Sequence, residues 1–133
     1  MGGLMDIRLK RFLAIAAIIT LLNGVSYALV PNVLLPNYGI APSAGAAFGF
    51  RLFGAALLTF GLILWFVRES SDWAAIRAVL IGASVGNVVG AVISLWAIFN
   101  DVVNGAGWLF VVTYVVLLLG YLASLRAGIR KHG

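Results

Sequence analysis

Four apolar runs, at about 12 to 30, 44 to 67, 73 to 99 and 105 to 125, each reach the roughly 20 helical residues that a 30 Å hydrocarbon layer demands. In lipid every backbone N–H and C=O must find its partner inside the protein, so a spanning chain forms either helices or a closed barrel. These runs are continuously apolar and do not alternate, which selects helices. The sequence therefore predicts one domain over residues 1–133, an all-α integral membrane four-helix bundle. Composition agrees: 63% of residues are hydrophobic and 10% charged, against about 25% charged in a soluble domain. Because the runs are apolar all round, punctuation sets their ends: Pro31 and Pro36, then Arg68 to Asp72, then Asn100 to Gly107.

The nine Lys and Arg residues cluster at run ends. Arg8, Lys10 and Arg11 precede the first span, Arg68 and Arg77 flank the second connection, and Arg126, Arg130 and Lys131 follow the last span. The first and third connections, "PNVLLPNYGIAPS" and "NDVVNGAG", hold no Lys or Arg. Cytoplasmic loops collect basic residues, so both termini are expected in the cytoplasm. The sequence pI of about 10.3 is thereby explained as a topology signal. No nucleic-acid partner is expected, since the cations do not line one polar face. A secretory signal peptide competes for "LKRFLAIAAIITLLNGVSYA", with Ser26 and Ala28 near a cleavage-like site, but the apolar run is long for that role.

Arg51, in "FGFRLFGAALL", is the one cation left over. It lies about 10 Å below the outer boundary of the second span at 1.5 Å per residue. A charge inside a span is by default a functional-site hypothesis. Its helical neighbours Ala47, Gly54 and Ala55 are small, and small residues mark helix contacts in membranes, so Arg51 is expected to face the bundle interior. Asp101 is the only acidic residue assigned to the outer side; Asp6 precedes the first span, and Glu69 and Asp72 occupy the cytoplasmic turn. Two readings of Arg51 stand side by side. In one it pairs with Asp101 or snorkels to the interface, fixing helix register. In the other it centres an outward-opening pocket with Asn23, Tyr27, Ser94 and Tyr114, taking the head of a lipid, quinone or other small amphiphile.

"GASVGNVVG" spaces Gly82, Gly86 and Gly90 four apart, which reads as close helix packing within the bundle, with a homodimer seam as the second reading. Asn87 beside them is expected to hydrogen-bond a neighbouring helix. Trp65, Trp73, Trp96 and Trp108 fall near span ends, where interfacial anchoring accounts for them. "NYGIAPS" carries turn chemistry and reads as a connector, or as a small lid over the outer end.

Catalysis has little to work with. The chain has no Cys, its single His132 is penultimate, and no carboxylate or His lies within a span to activate Ser94 or Thr113. No cofactor, metal site or enzymatic activity is expected. The four spans match the size of small multidrug exporters, yet the first span lacks their glutamate; fluoride channels are also this size, but span three lacks their Thr, Ser and Phe pattern. The loop "PNYGIAPS", followed by "RLFGA" with Arg51 and by a Gly-rich third span, resembles the DoxX-like four-helix inner-membrane proteins of bacteria. That resemblance implies a multi-pass protein of the bacterial cytoplasmic membrane, associated with other membrane proteins or redox complexes, with no catalytic residue to carry over. The expected function is non-enzymatic: an accessory protein, or a binder of a small amphiphile around Arg51, with membrane lipids, another membrane protein or further copies of itself as partners. The alternative is an oligomeric anion channel or small transporter using Arg51 as its selectivity charge.

Overall fold

The computed structural model describes residues 4–133, with side chains from Ile7 onward; the Asp6 side chain falls outside this description. The chain forms α1 (Leu4–Leu29), α2 (Pro31–Asn37), α3 (Ala44–Val67), α4 (Trp73–Phe99) and α5 (Trp108–His132), with a 3-10 turn at Gly105–Gly107. Four of these helices, all but α2, are long and apolar enough to cross a membrane. The protein is an all-α, multi-pass four-helix bundle.

α3 and α4 keep the bounds that punctuation set, because each opens on a capping side chain. Ser43 Oγ accepts from the Ala46 N–H at 3.0 Å, and Asp72 Oδ1 accepts from the Ala74 N–H at 2.9 Å. The outer two helices overrun theirs. α1 starts at Leu4, well before residue 12, since nothing between the two breaks a helix. α5 continues past residue 125 to His132, because Arg130, Lys131 and His132 fall in its last turn, where cations complement the free carbonyls.

The connection after α1 also holds a helix that the sequence reading missed. Pro31 stands in the first turn of α2, where its missing N–H costs nothing. Gly39, at φ +74°, ends α2: its N–H reaches the Pro36 carbonyl and the Ile40 N–H the Leu35 carbonyl, both at 3.0 Å. α4 ends by the same device with Asp101 in place of glycine, at φ 56°. Asp101 N–H donates to Ile98 O at 3.2 Å and Val102 N–H to Ala97 O at 2.9 Å. The two connections are tied together through Asn104, whose N–H donates to Tyr38 O at 2.9 Å and whose Nδ2 donates to Asn37 O at 3.1 Å.

The bundle is built from two helix pairs. α1 lies along α3 and α4 along α5, while the pairs touch each other far less. Within the first pair the backbones nearly meet. A Cβ added to Gly54 would stand 2.5 Å from Ala28 N, and one added to Gly24 would stand 2.9 Å from Leu58 N. Lipid tails are as apolar as Leu, so such close packing, not hydrophobic exclusion, holds membrane helices together.

The start of α1, the end of α5 and the 68–72 turn share one end of the bundle, here the basic end; α2 and the 100–107 connection form the loop end. Toward the basic end the two pairs converge on a core of Leu13, Ala16 and Ala17 from α1, Leu64 from α3, Leu80 and Ala83 from α4 and Tyr121 from α5. The Phe12 ring meets Tyr121 edge-on at 5.1 Å between centroids. Nearer the loop end the pairs part.

Candidate functional site

The gap between the pairs is a cavity of about 540 Å³. Its walls come from all four spans: Ile19, Thr20, Asn23 and Tyr27 on α1, Phe53, Leu57 and Phe60 on α3, Gly82, Gly86 and Asn87 on α4, and Phe110, Thr113, Tyr114 and Tyr121 on α5. The α5 residues recur at intervals of three or four, which puts them on one helix face. From Leu109 to Tyr121 that face runs about 18 Å at the α-helical rise. No charged residue lines it.

Polar side chains within the spans mostly turn back on their own helix. Thr20 Oγ1 donates to Ala16 O, Asn23 Nδ2 to Ile19 O and Thr113 Oγ1 to Leu109 O, at 2.7 to 2.8 Å. This is the cheapest satisfaction available in lipid, because it needs no partner from outside the helix. Two groups break the pattern. Asn87 Nδ2 donates to Ala83 O at 2.7 Å, but its Oδ1 is buried with no donor, and the Tyr121 hydroxyl is likewise buried and unpartnered. Asn87 is 7% exposed and Tyr121 0%. A buried polar atom without a partner costs about 1 to 3 kcal/mol, and both atoms belong to side chains of the cavity wall, although each is itself closed off from the cavity.

Aromatic rings close the loop end. Tyr38, carried just beyond α2, stacks on Phe110 at 4.4 Å between centroids and shares a hydroxyl contact of 3.3 Å with Tyr27. Tyr27 in turn meets Phe50 and Phe53 at 5.2 and 5.3 Å. Part of "NYGIAPS" thus sits over the cavity through Tyr38. Toward the side the lining includes the exposed Gly82, Gly86 and Thr113, so the cavity is open between the pairs.

Of the residues singled out from the sequence, Asn23, Tyr27 and Tyr114 line this cavity, together with Gly82, Gly86 and Asn87. Arg51 and Ser94 do not. Arg51 is exposed on α3 instead of facing inward: Gly54 beside it is closed against the α1 backbone, which leaves no room for a guanidinium there, and its other neighbour Ala55 is exposed as well. Nor does it pair with Asp101: the ion pairs among the described residues are Lys10 with Glu69, at 2.8 Å, and Arg68 with Glu69. Asp101 is exposed and serves the left-handed turn after α4. Ser94 donates to Gly90 O at 2.7 Å within its own helix.

The glycine series divides. Gly90 lies against the Tyr114 ring, but a Cβ on Gly82 or Gly86 would meet nothing within 4 Å, so those two shape the cavity and do not pack. Asn87 bonds its own helix and not a neighbour. Missed altogether were Thr20, Tyr38, Phe110 and Tyr121. The available signal was spacing: Thr20, Asn23 and Tyr27 on α1, and Phe110, Thr113, Tyr114, Leu117 and Tyr121 on α5, each repeat at helical intervals.

No family model matches the chain, and no curated protein or solved structure shows significant similarity to it.

Proposed function

We propose that this membrane protein is a non-enzymatic binder of a small neutral amphiphile, held in the cavity between the two helix pairs. The observation that carries the reading is a chamber without charge whose wall includes Asn87 and Tyr121, each with an unpartnered polar atom that a turn of the side chain would offer to a guest. One accepts and the other can donate, which suits a guest that bears both a hydroxyl and a carbonyl, such as a hydroxylated quinone or a diacylglycerol-type lipid alcohol. The aromatic and aliphatic walls suit an apolar body, as in ligand sites generally. Arg51 has no part in this site.

The reading also takes both termini as cytoplasmic, supported by the distribution of basic residues, and a bacterial inner membrane, supported by the DoxX-like resemblance. The channel alternative fits less well. Arg51 lies outside the cavity, and the convergence of Leu13, Ala16, Leu64 and Leu80 toward the basic end is apolar and buried. The test is native mass spectrometry of protein gently extracted from membranes, with the double variant Asn87→Leu and Tyr121→Phe beside it. A retained small amphiphile on the wild type, lost from the folded double variant, is the expected result. A wild type carrying no small molecule, or a double variant carrying it unchanged, overturns the reading.

A further inference from the structure

The chamber between the pairs has two openings that differ in level and in chemistry. Asn23 lies about three turns from Phe12 on one face of α1, and Thr113 about two turns from Gly120 on one face of α5. The Phe12 ring packs on Gly120, so these two faces meet. Nearer the loop end Asn23 and Thr113 are exposed lining residues, and the chamber opens between them. The other opening is edged by Ala56 of α3 and by Gly82 and Gly86 of α4, also exposed lining residues. Ala56 stands about 200° around α3 from Gly54, which is closed against α1, and Gly82 about 180° around α4 from Trp73, which packs on Gly128 of α5. Each therefore turns away from its own partner helix and toward the other pair.

At the helical rise Asn23 and Thr113 lie about 9 and 8 Å in from the loop ends of α1 and α5. Ala56 and Gly86 lie about 18 and 20 Å in, at the middle of α3 and α4. The chamber thus runs obliquely, from a polar mouth near the loop end to an apolar mouth at mid-span. Asn23 spends one N–H on Ile19 O and Thr113 its hydroxyl proton on Leu109 O, which leaves the Asn23 carboxamide oxygen and the Thr113 oxygen able to accept from a guest. Asn87 and Tyr121 stand at the deeper level, about 18 and 20 Å in. At the apolar mouth a Cβ on Gly82 or Gly86 would meet nothing within 4 Å, so the gap there is clear.

We infer that the chamber takes a long-chain amphiphile in the orientation the amphiphile already has in a leaflet: its hydroxyl end at Asn23 and Thr113, its carbonyl at the level of Asn87 and Tyr121, and its hydrocarbon chain passing out between α3 and α4 over Gly82 and Gly86. The inference rests on the small-amphiphile reading and adds the class of guest to it. A chamber closed at mid-span would cap the guest at what about 540 Å³ can hold, whereas an open apolar mouth sets no limit on chain length. The part of the chain beyond the mouth stays among lipid tails, where it neither gains nor loses by further lengthening.

The experiment is native mass spectrometry of the purified full chain in phosphatidylcholine nanodiscs, titrated by mole fraction with two probes, monohexanoylglycerol and mono-oleoylglycerol. The wild type is compared with the mouth variant Ala56→Leu with Gly82→Leu, and with the control Ala55→Leu with Ala78→Leu, which adds similar bulk at exposed positions of the same helices outside the lining. Wild type and control are expected to bind one molecule of either probe with affinities within about threefold of each other, and the mouth variant to bind the oleoyl probe at least about tenfold more weakly than the hexanoyl one. Asn23→Leu with Thr113→Val, again at exposed positions, is expected to weaken both probes alike, by about three- to tenfold. A wild type that rejects the oleoyl probe, a mouth variant that treats the two alike, a control that discriminates as the mouth variant does, or unchanged binding in the Asn23 and Thr113 variant overturns the inference and leaves the small-amphiphile reading standing. If neither probe binds the wild type, both fall.

Discussion

The seam between α1 and α3 and the gap between the two helix pairs are both rich in small residues, yet they are opposite structures. At Gly24 and Gly54 the missing side chains let two backbones come together; at Gly82 and Gly86 they leave space that nothing fills. A small residue in a span is therefore a permission, and the neighbouring helix decides how it is used. Here α1 is drawn onto α3, and α4 onto α5, which leaves the faces between the pairs to enclose a chamber.

Matched substitutions break or sharpen that contrast. Gly54→Leu places a side chain against the Ala28 backbone and is expected to cost at least about 3 kcal/mol, while Gly86→Leu enters the cavity and leaves stability within about 0.5 kcal/mol. Thermal unfolding followed by tryptophan fluorescence compares the two, and similar losses would dissolve the distinction. Gly86→Leu should also displace whatever the cavity holds. Next in size is the tie across the gap at the loop end. Asn104→Ala removes the bond to Asn37 O and the cap on Ala106 N, for an expected loss of about 2 kcal/mol and faster hydrogen exchange at α2. Unchanged exchange there would show that the pairs need no clasp.

Asp101→Gly should act in the other direction, stabilising by about 0.5 to 1 kcal/mol, since glycine adopts φ 56° without a Cβ penalty. Asp101→Val should destabilise by more. If Asp101 instead worked through its charge, Asp101→Gly would lower the melting temperature. The smallest effect is expected at Glu69, which links α1 to the turn between the pairs through Lys10. Its carboxyl is held below the usual range in the folded protein, so its stabilisation is complete above that range and is lost as pH falls through the lowered value. The wild type should melt measurably earlier at pH 3 than at pH 7, and Glu69→Gln should show a smaller difference. Equal pH responses would remove Glu69 from the account.

How much of this was legible in the sequence follows from the kind of signal. α3 and α4 were readable end to end, because Ser43 and Asp72 are capping residues that act locally. α2 was hidden by Pro31 and Pro36, which look like breakers; Pro31 in the first turn is harmless, and Pro36 is the penultimate residue of this seven-residue helix. The inward placement of Arg51 failed for a physical reason: Gly54 was taken as space, whereas α1 closes that space with its own backbone, and Ala55 is exposed like Arg51 itself. Asn23, Tyr27 and Tyr114 were legible as polar residues in apolar runs, though not their meeting with Thr20, Asn87 and Tyr121, which depends on how the pairs dock. Pair docking is a property of four helices at once, and no single periodicity encodes it.

The stacked Tyr38 and Phe110 rings, with Tyr27 beneath, bear on kinetics as well as shape. They stand at the loop end of the chamber, while the exposed Gly82 and Gly86 leave its flank open between the pairs. The proposed guest would then arrive by lateral diffusion within one leaflet, and occupancy would follow its mole fraction among the lipids, not its concentration in water.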